Sequence, residues 1–152
     1  MKKTKLLESV HHAEIDEKFH QMNIGNIGNV IYWMNFFNMI SSTQGDIVEC
    51  GVGRGRSLLI ISALNYILDK SEGGQRTIFG YDSFEGVPQP SEEDRSTRNP
   101  KKGEWSHSPS GKYKYSEDFI KLVLKEANIP LEEISLYLTS GFFCNSLMNH
   151  PD

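Results

Sequence analysis

The segment Val48-Glu49-Cys50-Gly51-Val52-Gly53-Arg54-Gly55-Arg56-Ser57 constrains the fold more than any other. A short apolar run from Asp46 to Cys50 enters it. A helical pattern leaves it, with Ile60, Ala63, Leu64, Ile67 and Leu68 recurring on one face between Ser57 and Asp69. The three glycines let the backbone turn sharply and approach a ligand closely. A strand that ends in such a turn and continues as a helix reads as the opening of a parallel β-α-β unit.

The rest of the chain repeats that grammar. Val30, Trp33, Met34 and Phe37 predict a helix over 23–39, either a simple core helix or one covering the sheet or the mouth of a site. Thr77 to Tyr81 predicts a second strand ending at Asp82. Residues Gly86 to Lys114 are rich in Pro, Ser, Lys and Gly and form a long loop. Ser116 is the expected N-cap of a third helix, with Glu117 and Asp118 in its first turn and Phe119, Leu122 and Val123 on its apolar face. Ile134 to Thr139 is the third strand. The fold class is α/β, a Rossmann-like parallel sheet with right-handed crossovers and flanking helices. Residues 1–44 read as an N-terminal helical segment behind a polar lead-in, and 45–152 as the ligand-binding domain. Ligands of such sheets sit outside the carboxyl ends of the strands, where the glycine turn, Asp82 and Gly141 all fall.

Composition removes several alternatives. The 152 residues carry a net charge of −4, with 38% hydrophobic and 24% charged residues. That balance fits one soluble domain and leaves no basic footprint for nucleic acid. Eight Phe, six Tyr and two Trp argue against disorder. The most apolar stretch, Val30 to Ile40, is too short to span a bilayer and is interrupted by Asn35 and Asn38. The cytoplasm is the expected setting. Cys50 and Cys144 form no Cys-x-x-Cys, so neither a disulfide framework nor a zinc knuckle organises the chain. His11 and His12, being adjacent, diverge on a helix and do not share a metal.

Spacing narrows the ligand. A dinucleotide fingerprint would need its third glycine at position 56, which is Arg56, and a phosphate-binding P-loop would need Gly-Lys before Ser57. Glu49, two residues before Gly51, would repel a pyrophosphate and would suit an ammonium or sulfonium cation. Asp82, at the end of the second strand, can accept hydrogen bonds from a ribose diol or can cap a turn. Arg54 and Arg56 either contact a ligand carboxylate or form a solvated helix start. Trp105 either stacks on a sugar or serves as a lone hydrophobic anchor.

Three blocks resemble a family: Glu-Cys-Gly-Val-Gly-Arg-Gly-Arg-Ser at 49–57, Asp-Ser-Phe-Glu-Gly-Val-Pro at 82–88, and Ser-Gly-Phe-Phe-x-Asn-Ser-Leu at 140–147. They look like the macrocin O-methyltransferases, class I enzymes that use S-adenosylmethionine to methylate a sugar hydroxyl. The resemblance covers about 45 to 147. It implies that Glu49 and the glycines Gly51, Gly53 and Gly55 hold the methionine part, that Asp82 holds the ribose and that Gly141 and Phe142 lie near the adenine. Arg54, Ser57, Ser83 and Phe84 complete the expected cofactor-binding set. The loop 86–114 would be a lid or an acceptor-side segment, and the acceptor a small sugar or glycosylated molecule. The family block usually carries aspartate where this chain has Asn145, followed here by Ser146. Its metal-binding and catalytic carboxylates, which would hold magnesium in a complete enzyme, lie on the fourth strand and beyond. The sequence offers three strands, so it reads as the N-terminal half of such an enzyme, truncated after the third strand. The alternative is a catalytically inactive remnant or nucleoside-binding module. The outer side of the first strand would then seek a partner, a second copy or an edge-pairing segment.

Overall fold

The computed structural model describes residues 24–72, 76–94 and 96–151. The polar lead-in, His11, His12, Gly73 and Gly74 lie outside them. In chain order the elements are α1 (Ile24–Met39), β1 (Ile47–Cys50), α2 (Arg56–Glu72), β2 (Ile78–Asp82), α3 (Glu117–Glu126), β3 (Leu136–Ser140) and a short α4 (Phe143–Ser146), followed by a 3-10 turn at Leu147–Asn149. Both strand pairings are parallel, in the order β1-β2-β3, with Glu49 opposite Gly80 and Gly80 opposite Leu138. The alternation of helix and strand seen in the sequence therefore builds the expected layered parallel sheet.

β2 is the central strand and is buried along Ile78, Phe79, Gly80 and Tyr81. Gly80 is required there. A Cβ would lie 2.8 Å from Leu138 Cδ2 and 3.0 Å from Val52 Cγ2. β1 lies at one side of the sheet and hydrogen-bonds only to β2 among the described residues. Its Val48 is 47% exposed.

The core is one cluster in which Leu58 and Ile61 of α2 meet Ile78, Phe84, and Phe119, Ile120, Val123 and Leu124 of α3. Two helical faces differ from the expected ones. α2 buries Leu58, Ile61, Ser62 and Asn65, whereas Ile67 of the expected stripe is 61% exposed. The buried set has helical spacing too, but two of its members are polar, so hydrophobicity favours the neighbouring stripe. Asn65 is satisfied in burial, donating to the Arg76 carbonyl at 2.9 Å and accepting the Arg76 N–H at 3.3 Å. On α3 Ile120 and Leu124 join Phe119 and Val123 on the buried face, whereas Leu122 of the expected face is 40% exposed. α1 is apolar on all sides, so only one stripe can face inward. Phe37 joins the core, Trp33 packs against it, and Val30 of the expected face stays exposed.

Caps and loop bonds fix where the helices sit. Ser116 Oγ accepts the Phe119 N–H at 3.1 Å, the N-cap expected from sequence. Asn128, at φ +58°, ends α3 in the left-handed region that asparagine tolerates. Arg76 ties the α1–β1 connection to the sheet by donating to the carbonyls of Ile40 at 2.8 Å and Gly45 at 2.7 Å, and also to Thr43.

Candidate functional site

The carboxyl ends of the three strands converge on Asp82. Its Oδ2 accepts the Gly53 N–H at 2.7 Å and its Oδ1 accepts the Phe84 N–H at 2.7 Å. Its backbone carbonyl accepts the Gly141 N–H at 2.9 Å. One residue thus fastens the turn after β1, the turn after β2 and the turn after β3. The Gly51 N–H donates to the Tyr81 carbonyl at 2.8 Å, so the ladder continues one residue past β1 before the chain turns away. Gly51, Gly53 and Gly55 have φ of +94°, +54° and +82°, which favours glycine at each. Gly55 also meets α3, where a Cβ would lie 2.9 Å from Ile120 Cδ1.

Glu49 points into this turn. Its Oε1 accepts a hydrogen bond from the Ser57 hydroxyl at the start of α2. Its Oε2 is buried and has no hydrogen-bond partner. Burial pushes the Glu49 carboxyl up from its ordinary 4.5 to about 7. The Ser57 hydroxyl opposes that rise, and the nearby Asp82 charge adds to it. A buried carboxylate oxygen without a donor is costly to keep charged. A proton on this oxygen relieves that cost, and so would a neighbouring cation.

The remaining expected residues separate into two sets. Gly141 and Phe142 follow β3 directly, and the Phe142 ring is 36% exposed at the same end of the sheet. Ser83 Oγ accepts the Glu85 N–H at 3.2 Å, which shapes the turn after β2. The Phe84 ring, by contrast, is 5% exposed and belongs to the core, so its contribution to the site is its backbone, at φ +52°. Arg56 donates to Asn26 Oδ1 of α1 at 3.3 Å and so reaches back towards the first helix. Arg54 is half-buried beside the glycines.

Two supporting contacts carried no signal in the sequence. Glu117 Oε1 accepts both the Ser140 N–H at 2.9 Å and the Ser140 hydroxyl at 2.6 Å, which holds the end of β3 against the start of α3. Read alone, Glu117 is only a favourable first-turn acid. The Tyr81 hydroxyl and His150 Nδ1 are 2.7 Å apart, which seats the segment after α4 on β2. Among the described residues no group of three or more His, Cys, Asp or Glu side chains is arranged to hold a metal, and no helix is long and apolar enough to cross a membrane. Cys50 and Cys144 are free and exposed.

The model of one protein family, described as macrocin-O-methyltransferase (TylF), matches residues 37–152. No curated protein sequence matches the chain. Among solved structures, the calicheamicin methyltransferase CalS11 is similar with a TM-score of 0.67 and 19% identity, covering 83% of this chain and 48% of that one. The O-methyltransferase NovP aligns with a TM-score of 0.49 and 22% identity, covering 97% of this chain and 49% of that one. The chain thus spans about half the length of each. The CalS11 likeness gives the fold: a three-stranded parallel portion of a Rossmann-like methyltransferase architecture.

Proposed function

The chain belongs to the macrocin O-methyltransferase (TylF) family, and from that premise we propose that it forms the S-adenosylmethionine-binding part of a sugar O-methyltransferase. The observation that carries the reading is Glu49. Its Oε2 is buried without a partner at the carboxyl end of β1, next to a glycine turn in which a Cβ at Gly51 or Gly53 would meet nothing within 4 Å. A ligand bearing an ammonium and a sulfonium group supplies the missing positive charge, whereas a pyrophosphate would add repulsion. Each Asp82 oxygen accepts one backbone amide and retains a lone pair for a ribose hydroxyl. Phe142 offers an exposed ring to a purine, and the Gly141 backbone lies beside it.

When bound, S-adenosylmethionine supplies a methyl group on a positively charged sulfur. The chain's own contribution is to bind and align. Glu49 with Ser57 orients the amino-acid end, and Asp82 holds the ribose at a fixed distance because its own position is set by Gly53, Phe84 and Gly141. Such alignment accounts for much of the rate of a displacement reaction. The magnesium expected of a complete enzyme has no donor set among the described residues, and no step is assigned to it. The acceptor is a small sugar or glycosylated molecule, in keeping with the family. The setting is the cytoplasm, where two exposed thiols stay reduced.

Calorimetric titration of the chain with S-adenosylmethionine and S-adenosylhomocysteine tests the assignment. Glu49→Ala and Asp82→Ala are each expected to lose about 1–3 kcal/mol of binding, the range for an orphaned charge-assisted hydrogen bond. Equal binding by both variants, or tighter binding of NAD, overturns it.

A further inference from the structure

The segment from Gly86 to Lys114 is long, but hydrogen bonds brace its start against the residues around Trp105 and those residues against its end. The Val87 N–H donates to the Glu104 carbonyl at 2.9 Å, and the Gly103 N–H donates to the Val87 carbonyl at 2.8 Å. Gly86 has no room for a side chain, since a Cβ would lie 2.1 Å from the Glu104 carbonyl oxygen. On the other flank the Tyr115 N–H donates to the Ser106 carbonyl at 2.9 Å, and Ser106 Oγ donates to the Gly103 carbonyl at 2.6 Å.

Trp105 is pinned between these two braces. Its φ is +68°, a left-handed value that costs a side-chain-bearing residue roughly 1–2 kcal/mol. The indole is nevertheless 65% exposed. One face is covered by the Arg98 guanidinium, 3.8 Å from the ring centroid, and Arg98 is itself held by an ion pair to Glu104 at 2.9 Å. With that contact in place, about two thirds of the residue still meets solvent. Core packing selects the reverse of this, and strained backbone held in place by its surroundings marks functional positions.

We infer that Trp105, backed by Arg98, is the stacking platform for the sugar ring of the acceptor; the inference rests on the sugar-methyltransferase reading above. A pyranose presents a face of C–H groups that packs on the electron-rich face of an indole. Because Arg98 and the two braces fix the ring beforehand, little ordering remains to be done on binding. The platform is also within reach of the cofactor site. Fully extended, the path from Asp82 to Val87 spans at most about 17 Å, and Val87 is bonded directly to the residues before Trp105.

Saturation-transfer NMR on the full chain, with methyl α-L-rhamnopyranoside and methyl β-D-galactopyranoside as probes, tests this directly. The expected result is transfer concentrated on the ring C–H protons of at least one glycoside. Trp105→Ala weakens its affinity by roughly three- to tenfold, the equivalent of one aromatic contact, while Trp105→Phe keeps most of it and Trp33→Phe changes nothing. S-adenosylhomocysteine affinity, measured by calorimetry in the same samples, is expected to be the same in Trp105→Ala as in the parent chain. Glycoside signals that are absent from the parent chain, or that survive Trp105→Ala, overturn the platform. So does a change in self-association on Trp105→Ala with the sugar signal intact, which would make the indole a protein-docking anchor. Loss of nucleoside binding alone, with a Trp105-dependent sugar signal, overturns the cofactor reading and leaves the platform standing.

Discussion

The Asp82 carboxylate accepts the Gly53 amide at 2.7 Å, joining the end of β2 to the turn that leaves β1. The same side chain accepts the Phe84 amide, and the same residue's carbonyl accepts the Gly141 amide. The acid proposed to meet a ribose is therefore also the fastening that joins the three turns, so on that proposal binding and stability are coupled at this position.

Asp82→Ala is accordingly expected to destabilise the fold as well as to weaken binding. It leaves two amide donors without their acceptor, a loss on the order of 1–3 kcal/mol. Asp82→Asn keeps the size but replaces one acceptor oxygen with a donor group, so it must lose one of the two amides. Urea denaturation of the three proteins is expected to rank them parent, Asn, Ala in decreasing stability.

Glu49 gives a pH dependence whose sign is fixed. Its carboxyl is held near 7 in the fold against 4.5 ordinarily, so the folded chain binds this proton more tightly than the unfolded chain. The contribution is fully present below pH 4.5 and is lost as pH rises to about 7, by on the order of 3 kcal/mol. Glu49→Gln is expected to flatten that part of the stability profile and to exceed the parent in stability above pH 7. A cationic ligand favours the charged carboxylate, so its affinity for the parent chain is expected to rise as pH increases through about 7. Thermal melts and titrations between pH 4.5 and 8 measure both slopes.

Gly86 and Gly103 provide a matched pair. Both have positive φ, +74° and +81°, but a Cβ at Gly86 strikes the Glu104 backbone whereas one at Gly103 meets nothing within 4 Å. Gly103→Ala is expected to cost about 1 kcal/mol from its backbone conformation alone. Gly86→Ala is expected to cost more and to release the loop around Trp105, visible as faster proteolytic cleavage between 86 and 114.

Backbone exchange reports on the side of β1 that pairs with no strand among the described residues. The Ile47 and Gly51 amides donate to the Thr77 and Tyr81 carbonyls, both at 2.8 Å. In a parallel ladder the intervening Val48 and Cys50 amides point the other way. Hydrogen exchange is expected to be slow at Ile47 and Gly51 and fast at Val48 and Cys50. Protection of Val48 and Cys50 that rises with protein concentration, together with growth in light scattering, would show a second copy pairing at that edge.

Much of this architecture was legible because it depends on local chemistry. The Gly51–Gly55 spacing, the Ser116 cap and the apolar runs at 46–50 and 77–81 each act over a few residues, and each element forms within a residue of where those signals place it. Glu49 and Asp82 could be singled out because a parallel sheet brings strand carboxyl ends together. What the tertiary structure alone decided involves contacts distant in sequence. The inward face of α2 is set by Asn65 meeting Arg76, which makes a polar stripe the buried one. Phe84, adjacent to the site in sequence, is drawn into the core by α2 and α3. The rise of the Glu49 carboxyl towards 7 needs the burial that only the assembled turn provides. Trp105 reads in the sequence as either a sugar-stacking residue or a lone hydrophobic anchor, and its strained backbone and its Arg98 backing exist only once Arg98, Glu104 and Val87 are brought around it. Local patterns specify elements because their causes lie within one or two turns of chain. Burial, strain and orphaned charge arise only when separate segments compete for the same space.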